Sequence, residues 1–422
     1  MTQARTSRPL QRRRWLRRTL ALLLLAALAL WLLQPQRAGR MLLQRAATAL
    51  GLELDVAGID YRLRGTPQLE LTGLVAKRPG DHVALLRAKR VFVALPWRTL
   101  RALGDDLSLE RIELDAPRLD LPALQRWLAT RPAGKTRLPT LSRGLRMRDG
   151  RIDNDDWRID QLAIDVPSFN PAQPLHLHVR GRYVAAPLTI PANLAIRVAN
   201  PQALLDAGIS DVSGAGTLAL TAATWRLPAQ VTLSGPLQLG KDSAVMRPAK
   251  LGIAGRYLSA TSSAPFRLGL YGPMAFNNAL WRWVPVTVVV AGAGAIPDAR
   301  ARGSVSLGRL LRLHLDGAIA RWPDAWPALP APLAGSPSPL SFALDYAGQP
   351  DFSSSASLAV RRDATTFDAH FRLPDVLAWL AADPANSPLP PLVGTLATPR
   401  LELSGATLEG VEIQLDDVPG TP

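Results

Sequence analysis

Five histidines, His82, His176, His178, His314 and His370, have the most chemistry to offer in a chain without cysteine. His176 and His178 stand two residues apart in an alternating run, so they share one strand face and could together grip a metal ion. No third ligand lies near them in the sequence, and exposed strand histidines are the simpler reading. The segment VVVAGAGAIP at 288–297 opens like a dinucleotide fingerprint, with Gly292 and Gly294 after a strand-like run. Its sixth position is Pro297 and no βαβ alternation surrounds it, so it reads as a strand and a turn. Asp153, Asp155 and Asp156 crowd the segment DGRIDNDDW. A calcium loop needs a spaced acidic run ending in glutamate, and this one reads as a polar turn. Gly-x-Ser-x-Gly, Walker A and His-Glu-x-x-His patterns are absent, so no catalytic set assembles and neither an enzyme nor a cofactor is expected.

The elements that would position any site begin with an anchor. Thr19 to Leu33 read TLALLLLAALALWLL, an uncharged run that Trp15, Leu16 and the stems of Arg17 and Arg18 extend toward spanning length. Seven arginines precede the run, and the positive-inside rule then leaves residues 1–18 in the cytoplasm and exports the rest. The competing reading is a signal peptide cut near Ala27-Leu28-Ala29, which would leave Leu30-Trp31-Leu32-Leu33 at a mature start. Residues 34–51 have apolar positions near helical spacing before Gly51, which suits an amphipathic juxtamembrane helix. Such a helix rests either on the bilayer or on the first strands. Nearly half of the net charge of +15 is this N-terminal orientation charge, and no binding motif accompanies the rest, so no nucleic-acid partner is expected.

Beyond Gly51 the pattern is short alternation: LELDVAGID at 52–60, QLELTGL at 68–74, RVFVAL at 90–95, RIELD at 111–115 and RLDL at 118–121. It continues through HLHVRGRY at 176–183, LAIRVA at 194–199, GTLALTAATW at 216–225, AQVTLSG at 229–235 and RLHLDGAI at 312–319. LSFALDY at 340–346, SLAV at 357–360, FDAHFRL at 367–373, RLELSG at 400–405 and VEIQLDD at 411–417 complete it. Each run puts apolar side chains on one face, and the 31 glycines and 37 prolines supply turns, so the body is a mainly β, mostly antiparallel meander. Pro-led segments punctuate it. Leu121–Ala129 and Leu373–Ala381 share Leu-Pro and Trp-Leu-Ala at one spacing, and similar segments start at Pro96, Pro201 and Pro323. Proline at a first helical position predicts short helices there. The strand-rich body is expected over 52–326, with a Pro/Ala-rich loop at 327–339 and a further β-rich segment at 340–417. Its apolar faces either close on each other or remain a curved lining for acyl chains, which alternation alone does not decide.

The basic N-terminus, the anchor, MLLQRAATALGLELDVAGIDY and then QLELTGLVAKR resemble the AsmA-like family of Gram-negative envelope proteins, related to TamB and YhdP. LLRAKRVFVALPWRTLRALGDDLSLERIELDAPRLDL is similar to that family's strand, short-helix, strand succession, as is the ending GTLATPRLELSGATLEGVEIQLDD. The resemblance is clearest over about residues 15–125 and 392–417. It implies a chorein-like periplasmic β groove on a single-pass inner-membrane anchor, serving outer-membrane biogenesis and phospholipid transport, with membrane lipids and other envelope proteins as partners. On that reading Leu42 and Leu50 sit at the lipid entry. Val56, Leu69, Leu71, Leu109, Ile112, Leu114, Leu119 and Leu121 line the groove, as do Val411, Ile413 and Leu415. Some twenty-odd strands about 4.8 Å apart span only about 100 Å, so a partner or a shorter-range role is expected. The alternative is an assembly factor of an envelope machine, resembling the N component of type II secretion.

Overall fold

A computed structural model describes residues 43–44, 47–48, 50–62, 64–101, 108–130, 139–240, 243–260, 263–277, 280–326, 328–329, 333–381, 390–403 and 406–415. The anchor, the cytoplasmic tail and Leu42 lie outside the described residues. Among those described, no helix is long and apolar enough to cross a membrane. The chain divides into two compact units, residues 1–132 and 133–422.

The first unit is built on β3 (Gln68–Lys77) and β4 (Ala84–Ala94), which pair antiparallel. On one side β3 carries β1 (Glu53–Asp55) and β2 (Gly58–Arg62), and on the other β4 carries β6 (Arg111–Asp115) and β7 (Arg118–Asp120). β5 (Ser108–Leu109) is a two-residue strand after helix α1 (Trp97–Arg101). Register aligns Ile59, Leu71, Val91 and Leu114 in one row and Tyr61, Leu69, Val93 and Ile112 in the next. Gly73, in the left-handed region at φ +64°, lets the row pass from Leu71 to Leu74 on the same face, and both belong to one buried cluster. Leu43, which is in helical conformation, packs against that cluster. Helix α2 (Leu121–Ala129) follows β7 with Asp120 as its N-cap, accepting from the Ala123 N–H at 2.8 Å, and Pro122 in its first turn. Leu121 therefore opens a helix where alternation placed the end of a strand. The Trp127 indole donates to the Leu50 carbonyl at 3.1 Å, tying α2 to the helix that carries Leu43.

The opposite face of this sheet is ionic. Arg90 donates to Glu70 at 2.7 Å, to Glu113 at 3.1 Å and to Asp115 at 3.2 Å, with its guanidinium 5.3 Å from the Phe92 ring centre. The Glu70 hydrogen bond, aided by those from Glu113 and Asp115, raises the guanidinium pKa further. Arg90→Met should strand three carboxylates on one patch and cost about 1–2 kcal/mol, between the values for exposed and buried pairs. Denaturant unfolding at low and high salt checks this. A cost that does not shrink with salt would place Arg90's contribution in packing instead.

The second unit opens with the short β8 (Thr140–Leu141) and then runs as an uninterrupted meander. Its strands are β9 (Leu145–Asp153), β10 (Arg158–Val166), β11 (Leu175–Ala185), β12 (Leu188–Val198), β13 (Ile209–Thr221) and β14 (Trp225–Leu239). They continue as β15 (Ser243–Ser259), β16 (Ser263–Asn277), β17 (Leu280–Gly292), β18 (Asp298–Leu307) and β19 (Leu311–Arg321). The last are β20 (Leu340–Gly348), β21 (Ser355–Arg362), β22 (Thr365–Arg372), β23 (Leu392–Leu403) and β24 (Ala406–Leu415). Every strand pairs antiparallel with the next. Among the described residues no pairing joins β24 back to β9. Helices α3 (Pro201–Leu205) and α4 (Leu373–Ala381) form where proline predicted them, whereas the Pro323 segment makes only a turn. The 327–339 stretch connects β19 to β20, which are hydrogen-bonded neighbours, so it is a long hairpin connection within one sheet.

Four adjacent strands share a feature that alternation did not reveal. Register shifts fall at Gly235-Pro236, Arg247-Pro248, Gly272-Pro273 and Val284-Pro285, one per strand from β14 to β17. Proline has no N–H for the ladder, and a bulge is where a strand tolerates that loss. SGPLQLGKDSAVMRPAKLGIAG at 234–255 and YGPMAFNNALWRWVPVTVVVAG at 271–292 therefore form an internal repeat of two hairpins. Burial is deep along the bulge line: Ala249 is 0 % exposed, Val286 1 % and Met246 2 %.

Twist accumulates along the meander. Arg309 in the β18–β19 turn donates to Asp156 in the β9–β10 turn at 3.1 Å, although the turns lie at opposite ends of the strands and nine strands apart. A flat sheet would separate those strands by about 43 Å, so the sheet coils strongly.

Candidate functional site

One face of the second unit is apolar across nearly its whole width. Leu177, Ile196, Gly214, Leu233, Leu251, Leu270, Val288, Ala301, Gly317, Phe342, Val360, Phe367, Leu396 and Ile413 are successive cross-strand partners, one from each strand β11 to β24. A parallel row runs from Met147 and Ile164 through Val179, Leu194, Gly216, Val231, Ile253, Leu268, Val290, Ala299 and Ile319 to Leu340. In the first row only Val288 and Ala301 are buried, and the others are half-buried. These side chains shelter one another along the sheet, and the described residues of this unit contain no second sheet to cover them. Phe342 reaches over the side-chain-free Gly317 and packs on the cluster of Val286, Val288 and Ala301.

Of the residues expected to line a groove, Ile413 ends the long row, and Val411 and Leu415 flank it on the same face, all half-buried. Leu69, Leu71, Ile112 and Leu114 share one face of the first unit's sheet with Leu119, the partner of Leu86. Val56 packs on the same cluster. Leu109 and Leu121 fall outside that sheet, in β5 and at the start of α2. Leu50 is 38 % exposed and Leu42 lies outside the described residues. Of strands β15 to β18, which supply the middle of the apolar rows, the sequence pattern reveals only the end of β17, where VVVAGAGAIP is the strand and turn expected of it. The repeated Gly-Pro, Pro and Ala-Gly spacing would have located them.

The reverse face is polar, and a concavity of about 1800 Å³ lies over it between β9 and β19. Two adjacent rows form its floor: Arg180, Asn193, Thr217, Gln230, Ala254, Arg267 and Ala291, then Arg182, Pro191, Ala219, Pro228, Arg256 and Pro265. These two floor rows are on the side away from the apolar rows, while Met147 and Ile164, at the end of the second apolar row, also border the concavity. Arg182 grips Asp160 with two hydrogen bonds, at 2.7 and 3.0 Å, and this holds the Asp160 carboxyl below the usual carboxylate range.

His314 also lies on this face, with Nδ1 2.6 Å from Asp345 and Nε2 3.3 Å from Asp316. The hydrogen bond to Asp345, more than the nearby charges, raises its pKa above 6.5. A raised folded-state pKa means that the stabilisation is complete below about pH 6.5 and is lost as pH rises through the folded value. The melting temperature of the wild type relative to His314→Gln should therefore fall over that window. An NMR titration of the ring carbon proton that gives a value at or below 6.5 would remove the basis for this. Neither His314 nor the exposed His176 and His178 stands in a metal cluster, since no group of three or more His, Cys, Asp or Glu with ligand geometry occurs among the described residues.

Comparisons with family models, curated proteins and solved structures find no match. Function must be argued from the two faces themselves.

Proposed function

We propose that this chain is a non-enzymatic, AsmA-like protein of the bacterial inner membrane that shields phospholipid acyl chains in a curved, chorein-like β groove and supports outer-membrane biogenesis. The observation that carries this reading is the mostly half-buried apolar row from Leu177 to Ile413, continuous through fourteen strands and without a second sheet over it among the described residues of this unit. Burial of acyl chain contributes about 0.8 kcal/mol per CH₂, so a row of Leu, Ile, Val and Phe holds a chain without directional contacts and lets it slide between equivalent positions. No residue needs to make or break a bond. The positively flanked apolar run before residue 34 supports a cytoplasmic N-terminus, a single span and a periplasmic body.

The test is extraction of lipid from the purified full-length chain, followed by mass spectrometry after exchange into a non-lipid detergent. Phospholipid in near-stoichiometric amount is expected. Its absence, together with crosslinks to secretion components and an unchanged lipid distribution in a deletion strain, would favour an assembly factor and overturn the lipid reading.

A further inference from the structure

The polar face has a function of its own to explain. The walls of its concavity carry seven arginines against three aspartates, and no lysine. Arg146 is engaged by Asp165, Arg182 by Asp160 and Arg321 by Asp298. Arg148, Arg180, Arg256 and Arg267 have no carboxylate partner among the described residues, and Arg256 donates only to the Ser263 hydroxyl at 3.1 Å. The free guanidiniums form two banks. Arg148 and Arg180 stand on β9 and β11, and Arg256 and Arg267 on β15 and β16. Arg180 and Arg267 occupy the same row five strands apart, about 24 Å along the sheet before it coils. Between them the row holds Asn193, Thr217, Gln230 and Ala254, which are exposed and carry no charge. A solvated protein surface ordinarily mixes both signs. Here cations without carboxylate partners face each other across an uncharged floor.

We propose that this concavity is a recognition site for a discrete anion bearing several phosphates, gripped by one bank of arginines at each end. Arginine's planar fork matches phosphate oxygens in pairs, which a lysine point charge does not. Two banks separated by neutral floor fit an anion with phosphates at both ends and a sugar or polyol between. A flat bilayer surface cannot enter a concavity and so fits it poorly. The site stands independently of the acyl-chain reading, because the row that carries Arg180 and Arg267 is on the other face of the sheet.

An oligo(ethylene glycol) of about six units carrying a pyrophosphate at each end, long enough to reach both banks about 24 Å apart, serves as the probe, titrated calorimetrically into the full-length chain in an uncharged detergent. Binding that weakens steeply with salt is expected. The triple variant Arg148→Ala, Arg180→Ala, Arg267→Ala should bind at least tenfold more weakly. The control Arg197→Ala, Arg302→Ala, Arg312→Ala removes the same charge outside the concavity and should stay within twofold of the wild type. Phospholipid co-purifying with the triple variant should be unchanged. Absence of binding, or equal losses in both triple variants, would overturn the site. So would dependence on these arginines of binding to phosphatidylglycerol vesicles but not to the soluble probe, or a parallel loss of co-purified lipid.

Discussion

The double variant Leu194→Asp, Ile253→Asp is expected to purify with at least fivefold less phospholipid than the wild type while its sheet remains folded. Both residues belong to the second apolar row, Leu194 between Val179 and Gly216 and Ile253 between Val231 and Leu268. Both are half-buried and neither belongs to a buried cluster, so a carboxylate there keeps part of its hydration in the empty protein. An acyl chain laid along the row would strip that hydration, at a cost of several kcal/mol per carboxylate in real protein environments. The substitution therefore penalises the lipid-bound state far more than the free one. Thr217→Asp with Thr232→Asp puts the same charge on the opposite face and should leave bound lipid unchanged. Circular dichroism confirms the fold of each variant. Full lipid retention by a folded Leu194→Asp, Ile253→Asp protein would show that lipid sits elsewhere.

Gly272→Ala should destabilise the second unit by about 1–3 kcal/mol or more, and Gly235→Ala by a similar amount. A Cβ at Gly272 would lie 2.2 Å from the Pro285 carbonyl oxygen, and one at Gly235 lies 2.2 Å from that of Pro248. Backbone rather than a flexible side-chain tip opposes the added methyl, so the hairpins themselves would have to part. Nearby lie Met246, Ala249 and Val286, all 2 % exposed or less, which leaves little room for adjustment. Trp283 locks the second bulge by donating to the Gly272 carbonyl at 3.1 Å. Gly269, on the same strand, has nothing within 4 Å of a built Cβ, so Gly269→Ala should be neutral or slightly stabilising. Thermal unfolding of the three variants separates these cases, and equal effects at Gly269 and Gly272 would remove the bulge line as a structural determinant. The near-equal response of Gly235 and Gly272 is the sharper demand, since it follows from the hairpin repeat.

Period-two alternation made many of the strands legible. RIELD at 111–115 coincides with β6, and RLHLDGAI falls within β19. Where reading failed, a specific residue misled it. Prolines 236, 248, 273 and 285 break the alternation across β14 to β17, and the bulges that accommodate them become recognisable only when one strand is laid beside the next. GTLALTAATW reads as one run, yet a turn at Ala222 to Thr224 divides it between β13 and β14. At Asp120-Leu121-Pro122 capping chemistry prevails over the apolar pattern and starts a helix. The apolar face was accessible because its residues alternate locally. The arginine concavity was not, because Arg180 and Arg267 are far apart in sequence and meet in one row only through five successive registers.

Because every strand from β10 to β24 pairs with the strand made just before it, the second unit has few contacts that await distant sequence. Each hairpin can dock as soon as it is complete, so the loop-closure entropy that slows most large β proteins is small at every step. Stability in such an array is close to a sum of neighbour terms, and removing hairpins from the β24 end should shorten the protein without unravelling what precedes them. The width of the apolar face is then set by the number of hairpins, a quantity that duplication of a unit such as 234–255 can change without redesigning the rest.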